Sequence, residues 1–192
     1  MEKKIQVPDS WDDVTIGQFQ EINSLTSEDH ERTIDVISIL IDEDPELIRK
    51  FDVSTFTTLI NMLTWTNEMP SDANYKPIIT IGDEQFGLVP KLQNLTVGEW
   101  MDLDTLLKDP MTNMHQVMSV LYRPLVTAFN DRDRLIDEYD FDKMERQAIK
   151  FQEHVKISDV YGALVFFYLI GNEYTRITAE YLDQTMQEVT KI

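Results

Sequence analysis

The side chains that could do chemistry here are three histidines, 35 carboxylates, and a set of aromatic and thioether groups. His30, His115 and His154 stand in no metal-ligand spacing. There is no His-Glu-x-x-His and no His-x-His, and the absence of Cys removes thiolate ligands and nucleophiles together. Each histidine is expected at the surface or at its boundary. Among the six glycines there is no Gly-x-Ser-x-Gly elbow, no phosphate-cradling Gly-x-x-x-x-Gly-Lys loop and no dinucleotide-type Gly-x-Gly-x-x-Gly. The densest carboxylate stretch, Asp131-Arg132-Asp133 through Asp137-Glu138-Tyr139-Asp140-Phe141-Asp142, lacks the Gly and closing Glu of a calcium loop. It reads as a solvated face or a docking surface for basic side chains. The expectation is a protein that is not an enzyme and has no cofactor and no metal.

Binding chemistry remains. Trp11, Trp65 and Trp100 are of a type enriched where partners anchor, although at helix starts such rings more often serve the core. Met111, Met114 and Met118 form an adaptable thioether stripe suited to apolar targets, with an ordinary core stripe as the competing reading. Tyr122 and Arg123 complete the set of candidate partner-binding residues.

Composition bounds what those residues can serve. At 192 residues, with 42% hydrophobic and 27% charged side chains, the chain can bury a core without metal or disulfide staples, and a single domain over 1–192 is expected. The formal charge of −18, from 35 acidic against 17 basic residues, disfavours phosphate backbones and anionic lipids, so neither nucleic acid nor membrane is an expected partner. The first residues, Met1 to Pro8, carry no apolar run of a signal peptide. The longest apolar run, Ala163 to Ile170, is far below the roughly 20 residues of a membrane span, and a soluble intracellular protein is expected.

The elements that must position these residues are read from caps and periodicity. Thr15 and Gln18 have the spacing of a capping box ahead of Phe19, Ile22 and Leu25. Ser27 is the expected cap of a helix through Ile34, Ile37, Leu40 and Ile41, Pro45 opens a short helix, and Ser54 is the expected cap of another carrying Phe56, Leu59, Ile60 and Leu63. The period then changes: Ile78 to Ile81, Gly82-Asp83 and Gln85 to Val89 predict one β-hairpin. Thr96 and Glu99 form a second capping box before Trp100, Leu103 and Leu107. The methionine stripe follows and should stop near Tyr122-Arg123, before Pro124. A helix is expected around Asp142 to Glu153. Ser158 should cap a nearly continuous apolar helix from Val160 to Ile170 at the centre of the core, broken by Gly171-Asn172 ahead of a last amphipathic helix.

The two capping boxes belong to a longer match of the chain with itself. Val14-Thr15-Ile16-Gly17-Gln18-Phe19 overlays Leu95-Thr96-Val97-Gly98-Glu99-Trp100, and in the same register Val36-Ile37-Ser38-Ile39-Leu40 overlays Val117-Met118-Ser119-Val120-Leu121. The expected fold is mainly α: a compact helical domain of two related helical units, about 10–69 and 91–192, with one β-hairpin at about 77–90 between them.

The run Phe86-Gly87-Leu88-Val89-Pro90, then Leu95-Thr96-Val97-Gly98-Glu99-Trp100-Met101-Asp102-Leu103, then Met118-Ser119-Val120-Leu121-Tyr122-Arg123-Pro124 resembles a group of small tailed-phage morphogenesis proteins. It is most similar to tail assembly chaperones, and the likeness covers about half the chain. The resemblance implies a non-enzymatic phage assembly protein in the host cytoplasm, whose partner is another phage protein, the tape-measure protein above all. Two alternatives stay open: a virion component, such as a head-tail connector or capsid-interior protein, and a host-directed acidic inhibitor.

Overall fold

Several helices begin where a capping side chain meets an apolar stripe, and the choice among neighbouring candidate caps follows simple electrostatics. The chain is described by a computed structural model over residues 5–89, 95–128 and 134–189, with 128, 134 and 174–189 as backbone only. Helix α1 (Ile16–Ser24) starts as the spacing predicts: Gln18 N–H donates to Thr15 Oγ1 at 3.2 Å, and Thr15 N–H donates back to Gln18 Oε1 at 3.0 Å. Helix α2 (Asp29–Ile41) departs from expectation, because its N-cap is Glu28 and Ser27 Oγ instead donates to Asp35 Oδ2 at 2.6 Å. Asp42 closes α2 in the left-handed conformation, φ 53°. Helix α3 (Pro45–Ile48) has Pro45 in its first turn, as expected. Helix α4 (Val53–Met62) is capped by Asp52 rather than Ser54, since a carboxylate also complements the positive end of the helix dipole.

The hairpin forms as β1 (Ile78–Ile81) and β2 (Glu84–Leu88) around Gly82, whose φ of +58° suits the tight turn. After it come α5 (Val97–Leu106) and α6 (Met114–Leu121). The chain then does what the sequence reading did not foresee. Helix α6 stops at Leu121 as expected, but the next residues form β3 (Tyr122–Ala128), followed by β4 (Arg134–Ile136). One hairpin therefore becomes a four-stranded antiparallel sheet, β1-β2-β3-β4. Pro124 sits where β3 passes from pairing with β2 at Phe86 to pairing with β4 from Leu125, so its missing N–H falls at the handover.

Helix α7 (Phe141–His154) is capped by Asp140, and α8 (Ile157–Val189) completes the order. Ser158 lies inside the first turn of α8, and the expected break at Gly171-Asn172 is absent. An interior glycine costs a helix only about 1 kcal/mol. Gly171 is buried where an added Cβ would touch Leu107, so close packing accounts for the small residue. Gly162, one turn into the same helix, lies over the loop carbonyls of Asp72 and Asn74, and an added Cβ would come within 2.7 Å of Asp72 O.

The centre of the core is α6, not α8. Met114, Val117, Met118, Val120 and Leu121 are all fully buried, and α1, α5, α7, α8 and β3 pack around them. Helix α8 contributes one face, Val160, Ala163, Leu164 and Phe167, and leaves Phe166, Tyr168 and Leu169 in solvent. The protein is thus mainly α with a small antiparallel sheet. Among the described residues no helix is long and apolar enough to cross a membrane.

Candidate functional site

The two sequence motifs that stand out, the Thr-x-x-Glu helix start and the Leu-Tyr-Arg-Pro helix stop, meet in one place. Thr96 Oγ1 accepts the Glu99 N–H at 3.2 Å, and Glu99 Oε2 accepts the Thr96 N–H in return. The other oxygen, Oε1, receives Arg123 Nη1 at 2.7 Å. Glu99 is 1% exposed and Arg123 8%. Pairing across β2 and β3 then brings Gly87 opposite Arg123 and Leu88 opposite Tyr122, so all three segments of the motif set converge on this ion pair. Burying two charges is costly unless each is answered in full, and here the carboxylate has both oxygens engaged. Among the described residues Arg123 Nε has no hydrogen-bond partner, and Glu99 supplies the ion pair that the guanidinium makes.

The candidate partner-binding residues occupy the interior around this pair. Tyr122 is fully buried; its hydroxyl donates to Lys76 O at 2.8 Å, and its carbonyl accepts from Gln147 Nε2. Met114 and Met118 are fully buried in α6. Met111 is half-buried against the core and its carbonyl accepts from Gln20 Nε2 at 2.9 Å. As folded, these five residues hold the molecule together and offer no outward face except the edge of Met111. Their burial has a plain cause: methionine stripes and Tyr-Arg pairs carry the same spacing whether the covering surface is the protein's own or a partner's.

The histidines separate. His30 and His154 are exposed, while His115 is half-buried and receives Gln20 Nε2 at 3.0 Å on Nδ1. Burial pulls the His115 pKa down. Of the acidic stretch, Asp131 to Asp133 lie outside the described residues; Asp137 pairs with Lys143 at 3.0 Å, and that hydrogen bond holds its carboxyl below the usual range. Tyr139 donates to Asp102 Oδ2 at 2.8 Å, and burial together with that carboxylate pushes the phenol pKa up. Among the described residues no group of three or more His, Asp or Glu side chains is placed to hold a metal ion.

The surfaces that could receive a partner are ones the sequence reading passed over. Helix α4 exposes Val53, Ile60 and Met62 within a stretch, Val53 to Asn67, that has no charged residue at all. Its flank borders a groove of about 390 Å³ whose lining includes Ile37, Ile60 and Leu63 together with the charged Asp29 and Arg32. Helix α5 presents Val97 and Met101, 77% and 62% exposed, one turn apart. The available signal was the exposed phase of each helix: Val97 and Met101 fall off the Trp100-Leu103-Leu107 stripe. Comparison with protein-family models, curated proteins and solved structures gave no match.

Proposed function

We propose that the protein is a non-enzymatic assembly factor of a tailed phage, a tail assembly chaperone that binds the tape-measure protein in the host cytoplasm. The observation that carries the protein-binding part is the pair of exposed apolar helix faces, on α4, where Val53 to Asn67 holds no charge, and at Val97 and Met101 of α5, in a chain of formal charge −18. Such faces can cover apolar segments of a long helical client while the acidic surround keeps the complex soluble and steers basic clients toward it. The phage part rests on the motif resemblance, and the convergence of its three segments on Glu99 and Arg123 supports reading them as one structural unit.

The same reading takes residues 1–192 as one domain of two related helical units. The capping boxes at Thr15 and Thr96, each with both of its bonds, support that duplication. So does the placement of Ile37 and Met118, in register in the sequence and buried in α2 and α6.

Co-expression with the tape-measure protein of the same phage, followed by affinity capture, tests the function. A stable complex that weakens as salt rises is expected. Mass spectrometry of purified particles should find the tape-measure protein and not this chain; its presence there would replace the chaperone reading with the virion-component one.

A further inference from the structure

Comparing the two capped helix starts residue by residue exposes a difference in what covers them. At the first, Ile16 N–H donates to Val155 O at 2.9 Å and Ile157 N–H donates to Val14 O at 2.9 Å. The pair forms an antiparallel bridge, Thr15 opposite Lys156, between the start of α1 and the junction of α7 with α8. Ile16 is fully buried as a result. Gly17 lies so close to the end of α7 that an added Cβ would come within 2.8 Å of Gln152 O. The glycine is needed there because another backbone occupies the space its side chain would take.

At the second start every one of these features is present and uncovered. Val97, which overlays Ile16, is 77% exposed. Gly98, which overlays Gly17, has nothing nearer to an added Cβ than Thr96 Oγ1 of its own turn, at 3.9 Å. Among the described residues neither the Val97 N–H nor the Leu95 carbonyl has a hydrogen-bond partner, where Ile16 and Val14 have theirs. Met101 extends the bare face by one turn.

We propose that the start of α5, Leu95 to Met101, is a docking site for a helix end followed by a short extended apolar segment from another protein. That occupant would bridge to Leu95 and Val97 as Val155 to Ile157 bridge to Val14 and Ile16. Its chemistry follows from the surroundings. The contact residues are Val, Gly and Met, so the facing side chains are apolar. Asp102 and Asp104 flank the site on α5, in a chain of net charge −18, so the segment is neutral or basic. The source is another protein because the one junction of this form among the described residues, Val155 to Ile157, is already engaged by α1. This site deepens the protein-binding reading above and rests on it.

The test uses the intact protein, isotope-labelled, and a synthetic peptide with the sequence of this chain from Gln147 to Val160 as probe. Saturable amide shifts confined to Leu95 through Thr105 are expected, and V97D and M101D should each weaken binding about tenfold or more. Both side chains point to solvent, so the variants should match wild type in urea melts. No shifts, shifts indifferent to both variants, or shifts at Val14 to Gln20 from displacement of the chain's own junction would overturn the site. Concentration-dependent self-association abolished by V97D would overturn the heterologous partner and give the face to a second copy. Tape-measure capture that survives both variants would leave the function standing and remove this site, whereas peptide binding without tape-measure capture would do the reverse.

Discussion

Replacing Glu99 with Gln subtracts one charge from a buried pair and changes almost nothing else. Gln18 shows that a carboxamide can close the same capping box, its Oε1 accepting the Thr15 N–H at 3.0 Å, so E99Q keeps the cap of α5. What it loses is the counter-charge of Arg123, 2.7 Å away, whose side chain is 10% exposed and whose Nε has no partner among the described residues. Removing one member of such a pair leaves an unanswered charge in low dielectric, a cost of about 3–5 kcal/mol. For a domain of this size that lowers Tm by roughly 6–20 °C. The double variant E99Q/R123M removes the stranded charge and should recover most of the loss, because a buried pair replaced by well-packed apolar groups is often neutral. Urea denaturation at neutral pH of wild type, both single variants and the double variant closes the cycle. A loss under about 1 kcal/mol for E99Q, or no recovery in the double variant, would refute the claim that the ion pair dominates this site.

The two glycines at the helix starts should respond oppositely: G17A should lose about 1–3 kcal/mol through collision with Gln152 O, whereas G98A should be neutral or gain up to about 1 kcal/mol of helix propensity, both read by urea melts. T15A and T96A should each cost about 0.5–2 kcal/mol, and no thermal shift in either would remove the capping argument. His115 has its folded pKa depressed by burial, so the stability it contributes is complete above its unfolded value near 6.5 and is lost as pH falls through the folded one. Urea midpoints of wild type should therefore drop between about pH 7.5 and 5, and H115Q should flatten that drop.

Local rules carried the reading of the sequence furthest. Both capping boxes, the Pro45 start, the first hairpin and the end of α6 depend on a few adjacent residues, and each stands where the spacing puts it. Failures came where a second residue, near or distant, decides. Ser27 and Ser54 are good caps in isolation, yet Asp35 draws the first away and Asp52 outcompetes the second. Gly171 reads as a helix end until Leu107 is seen beside it. Strand β3 follows Leu121 without a turn signal, and its pairing with β2 links residues too far apart in the chain for periodicity to register. Met114, Met118, Tyr122 and Arg123 were legible as a coherent group, but whether such a group faces inward depends on how the sheet closes over it.

Gln18 and Glu99 occupy the same position in the two capping boxes and answer different needs. Gln18 uses its spare amide to donate to Ile39 O at 3.0 Å, a neutral contact inside its own pair of helices. Glu99 uses its spare oxygen to fix Arg123 at the head of β3, and so ties α5 to the sheet. A carboxylate at the first start could not donate to Ile39 O, and a neutral group at the second would leave Arg123 without its counter-charge. Coverage differs in the opposite sense: the first start, with the weaker anchor, has its outer face closed by the α7–α8 junction, while the second, held by an ion pair from beneath, stands open. On the proposed docking role, the start of α5 needs support that does not come from the partner. The buried pair under Val97 and Met101 provides it, so E99Q should weaken the Gln147–Val160 peptide by loosening α5 even though Glu99 touches no part of the exposed face.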